Sequence, residues 1–171
     1  MKPSFWHRVD RFARELTPFA LTFALLLINT IPFHIPGFAQ VAPMLPLIGI
    51  YFWAVYRPDL MPAIAVFLIG ILHDFLSGLP LGISALIFLA VLGAALAQRS
   101  FFFGKSFVIV WIGFLFVAAG ALALKWLLLS ISAGELIQAR SALYQFGLTI
   151  AVFPVLSWMF TRWSQGFLQV E

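Results

Sequence analysis

The sequence predicts an all-α integral membrane protein, a six-transmembrane-helix bundle with both termini in the cytoplasm. Three observations predict it. Hydrophobic residues make up 63% of the chain and charged residues 9%, against roughly 25% charged in a soluble domain, and the mean hydropathy is +1.06. The apolar residues form long continuous stretches rather than alternating, which argues against a barrel and for helices that satisfy their own backbone groups in lipid. Lys and Arg, finally, are divided unevenly between alternate connections, as orientation across a membrane requires.

Residues 1–16 read as a cytoplasmic amphipathic interfacial segment. Phe5, Val9, Phe12 and Leu16 share one helical face, with Arg8, Arg11, Arg14 and Glu15 opposite, the pattern of a helix lying in the headgroup plane. A basic stretch before an apolar run also resembles a signal peptide. Gly37-Phe38-Ala39 is a poor cleavage site and five more apolar segments follow, so the first span is expected to be retained.

A transmembrane domain is expected over 17–160, with spans at 17–33, 41–56, 60–75, 82–98, 107–131 and 142–160, and a cytoplasmic tail over 161–171. A straight crossing takes about 17–25 residues, so the second and third spans are marginal. Pro43 and Pro46 predict an irregular start to the second. Only Arg57-Pro58-Asp59 separates it from the third, which predicts a tight turn and antiparallel neighbours, with a re-entrant pair as the alternative. Eight basic residues fall on the side of the termini (Lys2, Arg8, Arg11, Arg14, Arg57, Arg99, Lys105, Arg162) and one, Arg140, on the other. Trp and Tyr cluster near span ends, as in an aromatic belt.

The net charge is +4, but no solvated basic face exists, so no nucleic-acid partner is expected. The absence of cysteine removes disulfides and thiolate chemistry. No phosphate loop, paired carboxylates or catalytic triad is visible. Span serines such as Ser84 and Ser157 lack an evident base. His73 has only His7 and His34 as fellow histidines, too few convergent ligands for a metal. No catalytic residue, metal or cofactor is therefore expected.

Asp74 is the one distinctive polar residue, at the outer end of the third span. A carboxylate in the bilayer costs about 2.5–3.5 kcal/mol at its centre and less toward the interface, so it wants a partner. Gly70 and Asp74 share a face as i and i+4, and glycine allows a neighbouring helix to approach closely. Lys125, the only basic residue within a span, lies at similar depth. Asn29, Asp74 and Lys125 are accordingly expected to form a buried polar cluster in which Asp74 and Lys125 pair directly or through water. Ser77-Gly78-Leu79-Pro80-Leu81-Gly82 predicts a turn: Gly78 ends one helix, Pro80 prevents its continuation and Gly82 opens the next. Small-residue pairs, Gly93 with Ala97 and Gly113 with Val117, and the run 118–121 predict close helix contacts.

The residues Pro58, Gly70-Ile71-Leu72-His73-Asp74 and Gly78-Leu79-Pro80-Leu81-Gly82 resemble the MreD family of bacterial rod shape-determining membrane proteins, whose pattern is a glycine, a few apolar residues, an aspartate and then Gly-x-Pro-x-Gly. Length, six spans and short loops resemble it too. The resemblance implies a fold similar to the substrate-binding subunits of energy-coupling-factor transporters, with Gly70, Asp74, Gly78, Pro80 and Gly82 as motif residues. It also implies a non-enzymatic role in the cell-elongation machinery at the bacterial inner membrane. The partners would be MreC, MreB, RodA and a class B penicillin-binding protein, in the organisation of lateral peptidoglycan synthesis. The alternative expectation is a substrate-binding membrane subunit of a small-molecule or lipid transporter, with an outward pocket at Asn29, His73, Asp74 and Lys125.

Overall fold

The structure, a computed structural model, describes the backbone of residues 5–31, 36–37, 41–102 and 104–168 and the side chains of 16–31, 36–37, 41–102 and 104–166. These residues form α1 (Phe5–Thr30), α2 (Leu45–Tyr56), α3 (Ala63–Ser77), α4 (Ile83–Phe102), α5 (Phe107–Ala133) and α6 (Ala139–Leu168), with a 3-10 turn at Pro58–Leu60. Each expected span contains one helix. α4, α5 and the stretch Ala139–Gly166 of α6 are long and apolar enough to cross a membrane; Leu16–Thr30 of α1, α2 and α3 are shorter apolar helices.

Helix α1 is continuous from Phe5, so the expected boundary at 16/17 is not a break in the helix. The amphipathic face of residues 1–16 belongs to side chains outside the described ones up to 15, as do His7, His34 and part of the poor cleavage site. At the other end α6 runs on to Leu168, which makes most of the expected tail helical; residues 169–171 lie outside the description.

Helix α2 is the centre of the bundle. It is apolar on every side, and a helix without a polar face is stable only when surrounded; Pro46–Val55 are all buried. Its 12 residues rise about 18 Å, less than the ~30 Å of a bilayer's hydrocarbon core. It packs chiefly against α1 and α4, and also against α6. The Tyr51 ring meets Phe114 of α5 and Phe153 of α6, which stack on each other at 4.1 Å between centroids. Its hydroxyl donates to the carbonyl of Val110 at 3.2 Å. Phe52 and Trp53 pack on Phe160.

The expected pairing of the second and third spans is corrected. Residues 57–62, not three, separate α2 from α3, because the 3-10 turn is followed by Met61 and Pro62 before α3 starts. Met61 drops into the core. With that longer connection α3 packs mainly on α4, and the principal neighbours of α2 are α4 and α1.

Small residues divide between the two sides of the bundle. Gly113, Val117, Ala118 and Ala121 face inward, and a side chain at Gly113 would meet the Phe102 ring. Gly93, Ala97, Ala119 and Gly120 face outward.

Candidate functional site

The site grows from the turn between α3 and α4. Gly78 sits at φ 66° and ends α3 in the left-handed conformation. The N–H of Leu79 reaches back to the Asp74 carbonyl at 3.0 Å, the long-range bond of a Schellman-type stop. Gly82 then takes φ 102°, a region open mainly to glycine, and α4 begins at Ile83.

Asp74 is fully buried. Its carboxylate accepts the N–H of Gly82 at 2.8 Å and the N–H of Ser84 at 3.0 and 3.1 Å, one distance to each oxygen. It is thus an N-cap for α4 supplied by the preceding helix. The first N–H groups of a helix lack intrahelical partners, and the dipole there favours a negative charge. This is how a carboxylate is held at an apolar helix–helix seam: the donors are backbone groups that need an acceptor anyway.

One turn earlier, Gly70 lies directly against the backbone of Ala85, where any Cβ would collide with the Ala85 Cα and N. The absence of a side chain at 70 sets the separation of α3 and α4, and at that separation Asp74 reaches the α4 N-terminus. His73, 5% exposed, completes the seam. Its Nδ1 is 2.9 Å from Ser84 Oγ and its ring meets Phe88 edge-on. Neighbouring helical residues point about 100° apart, so His73 and Asp74 straddle Ser84 from two sides. Ser84, read from sequence as lacking a base, therefore has an imidazole beside it. The hydroxyl is fully buried and the Asp74 carboxylate bonds backbone rather than imidazole, so the trio ties helices together rather than forming an activated nucleophile.

Lys125 is hydrogen-bonded on its other side. Its Nζ donates to Gln145 Oε1 at 3.0 Å, and Gln145 Nε2 donates to the Ala42 carbonyl at 2.8 Å. Asp74 and Lys125, expected to pair directly or through water, each have their own hydrogen bonds, the carboxylate to α4 N–H groups and the ammonium to Gln145, and act on one another electrostatically. Asn29 is drawn to the irregular stretch before α2, where its amide donates to the Pro43 carbonyl at 3.0 Å. Thr149 Oγ1 accepts the Met44 N–H at 3.0 Å. Pro43 and Pro46 interrupt helical bonding there, and side chains from α1 and α6 take up the freed backbone groups, as irregular backbone in an apolar bundle requires.

Asn29, His73, Lys125 and Gln145 line a cavity of about 480 Å³ at this end of the bundle. A second cavity of about 940 Å³ adjoins it, sharing Ser77, Leu79, Lys125 and Gln145. Gln145 and Thr149 went unnoticed in the sequence, although two polar residues at i and i+4 within an apolar run are a readable signal. Among the described residues no group of three or more His, Asp or Glu could hold a metal ion.

On the outward side of the bundle, α4 and α5 enclose an apolar groove of about 300 Å³, with Ala90, Ala94, Gly120 and Ala121 on its walls. It continues past Gln98 and Phe116 toward Phe101.

Residues 11–169 match the profile of the family described as rod shape-determining protein MreD. The chain is also similar to an uncharacterized protein of Rickettsia prowazekii (strain Madrid E), at 27% identity over 112 residues, covering 65% of this chain and 63% of that one. No solved structure matches, so the expected likeness to energy-coupling-factor subunits has no counterpart there.

Proposed function

The chain belongs to the rod shape-determining protein MreD family, and on that premise we propose that it is a non-enzymatic membrane component of the bacterial cell-elongation machinery that binds MreC and helps to organise lateral peptidoglycan synthesis. The observation that carries this reading is the family match over nearly the whole chain, 11–169. In this reading the six helices cross the inner membrane, with residues 1–16 and 161–171 in the cytoplasm and the Gly78–Gly82 turn outside. MreB, RodA and the class B penicillin-binding protein are reached as parts of the same assembly.

The geometry suits a scaffold. The most polar residues of α3 hold α3 to α4, fixing a shape rather than presenting reactive groups. The outward groove between α4 and α5 offers small residues to a single passing helix, and in lipid such surfaces associate through close packing. At Gly120 a side chain would meet no atom within 4 Å, so there is room for a partner. Co-purification with MreC from detergent tests the function. Wild-type protein should retain MreC, and Gly120→Leu and Ala94→Leu should release it while the bundle stays folded. Failure of the wild type to retain MreC would remove the scaffold reading; retention by both variants would remove the groove as its docking face.

A further inference from the structure

The larger cavity, between the ends of α5 and α6, has a chemistry the scaffold reading does not use. Lys125 projects into it from within α5. An ammonium has three N–H donors; among the described residues one goes to Gln145, and no carboxylate bonds it, since Asp74 is engaged by Gly82 and Ser84. Asp74 lies near enough to act on this cation electrostatically but makes no hydrogen bond to it, and a half-buried cation with donors to spare still favours an anion that can take those bonds. Arg140 stands on the same cavity's wall, and with Glu135 as the one acidic lining residue the balance is one positive charge. Trp126 and Tyr144 line it as well. The Trp126 indole N–H is fixed on the Ile137 carbonyl at 2.8 Å, and Tyr144 is largely exposed. Aromatic residues of this kind mark the depth of lipid headgroups.

We propose that this cavity binds a phosphate-bearing anion through Lys125 and Arg140, and that the source of the phosphate is the headgroup of an anionic membrane lipid. The volume of about 940 Å³ accommodates a glycerophosphate headgroup, and Trp126 and Tyr144 lend it aromatic walls. The proposal stands independently of MreC binding, and its readouts involve no partner.

Native mass spectrometry of the purified full chain, with phosphatidylglycerol or phosphatidylcholine added to the micelles, tests it. Phosphatidylglycerol should be retained over phosphatidylcholine, and Lys125→Gln should lower that retention by about tenfold, as expected for the loss of one charge-assisted hydrogen bond. Lys125→Arg should keep it, and Lys105→Gln, in the exposed turn before α5, should be without effect. Arg140→Gln supplies a second, surface-exposed variant should Lys125→Gln fail to fold. Thermal stabilisation by inorganic phosphate provides the other arm. Stabilisation that needs Lys125, without a preference for phosphatidylglycerol, would keep the anion site and overturn the lipid source. Lipid and phosphate binding indifferent to both Lys125→Gln and Arg140→Gln would overturn the proposal.

Discussion

The carboxylate of Asp74 takes the backbone N–H of Ser84 on both of its oxygens, at 3.0 and 3.1 Å, across the turn that separates α3 from α4. Asp74→Ala should leave the N–H groups of Gly82 and Ser84 without acceptors inside the bundle, at a cost of about 1–3 kcal/mol. Asp74→Asn, which keeps one acceptor oxygen, should cost less. Asp74→Glu should not rescue fully, because the longer side chain does not fit the separation set at Gly70. Unfolding in detergent with added denaturant reads the order; equal stability of Asp74→Ala and wild type would show that the cap contributes nothing.

Gly70→Ala places a methyl group on the backbone of Ala85. The helices must separate or the methyl must displace main chain, and overpacking of this kind costs about 1–3 kcal/mol. Gly93→Ala, made on the same seam's neighbour helix but in open space, should stay within about 0.5 kcal/mol of wild type. The contrast between the two is the measurement, since each controls for the effect of alanine itself.

The two turn glycines should differ. Gly78, at φ 66°, occupies the left-handed well that L-residues enter at roughly 1–2 kcal/mol. Gly82, at φ 102°, lies beyond it. Gly78→Asn should therefore be tolerated better than Gly82→Asn, asparagine being the residue most at ease in the left-handed region after glycine. Expression level and melting temperature of the paired variants check the ranking; the reverse order would contradict the turn geometry.

Lys125 and Gln145 should be coupled. In a double-mutant cycle of Lys125→Met and Gln145→Leu, the interaction energy should be about 0.6 kcal/mol and at most about 1.7, the range of interhelical hydrogen bonds in membranes. Gln145→Leu alone should cost more than Lys125→Met alone, because it also strips the Ala42 carbonyl of its donor. A cycle between Lys125→Met and Asp74→Asn should show weaker coupling than the Lys125–Gln145 cycle, since no hydrogen bond joins the two charges.

Much of this was legible in the sequence, and the exceptions share a cause. Apolar runs placed the helices, and Pro43 with Pro46 announced the irregular stretch before α2. Gly78 and Gly82 announced the turn. Gly70 and Asp74 at i and i+4 marked the face that meets a neighbour, because a close approach and a carboxylate both leave local signals. The partner of Asp74 was not legible, for it is main chain: N–H groups of Gly82 and Ser84 carry no mark in the letters of a sequence, whereas Lys125 does and drew the assignment to itself. Depth alone brought Asp74 and Lys125 to one level of the membrane and said nothing of the direction each points. Nor was the length of the connection after α2 legible, since Met61 and Pro62 read as the beginning of a span.

Two of the bonds that mend the break before α2 come from far along the chain, while a third, from Asn29 to Pro43, spans 14 residues. Gln145 reaches Ala42, and Thr149 reaches Met44, across 103 and 105 residues. During synthesis the break emerges long before α6 exists to receive it. Until then Asn29 can serve the Pro43 carbonyl, but the Ala42 carbonyl and the Met44 N–H, costly to bury unpaired, await their partners. A joint laid near the beginning of the chain is therefore closed by its last helix.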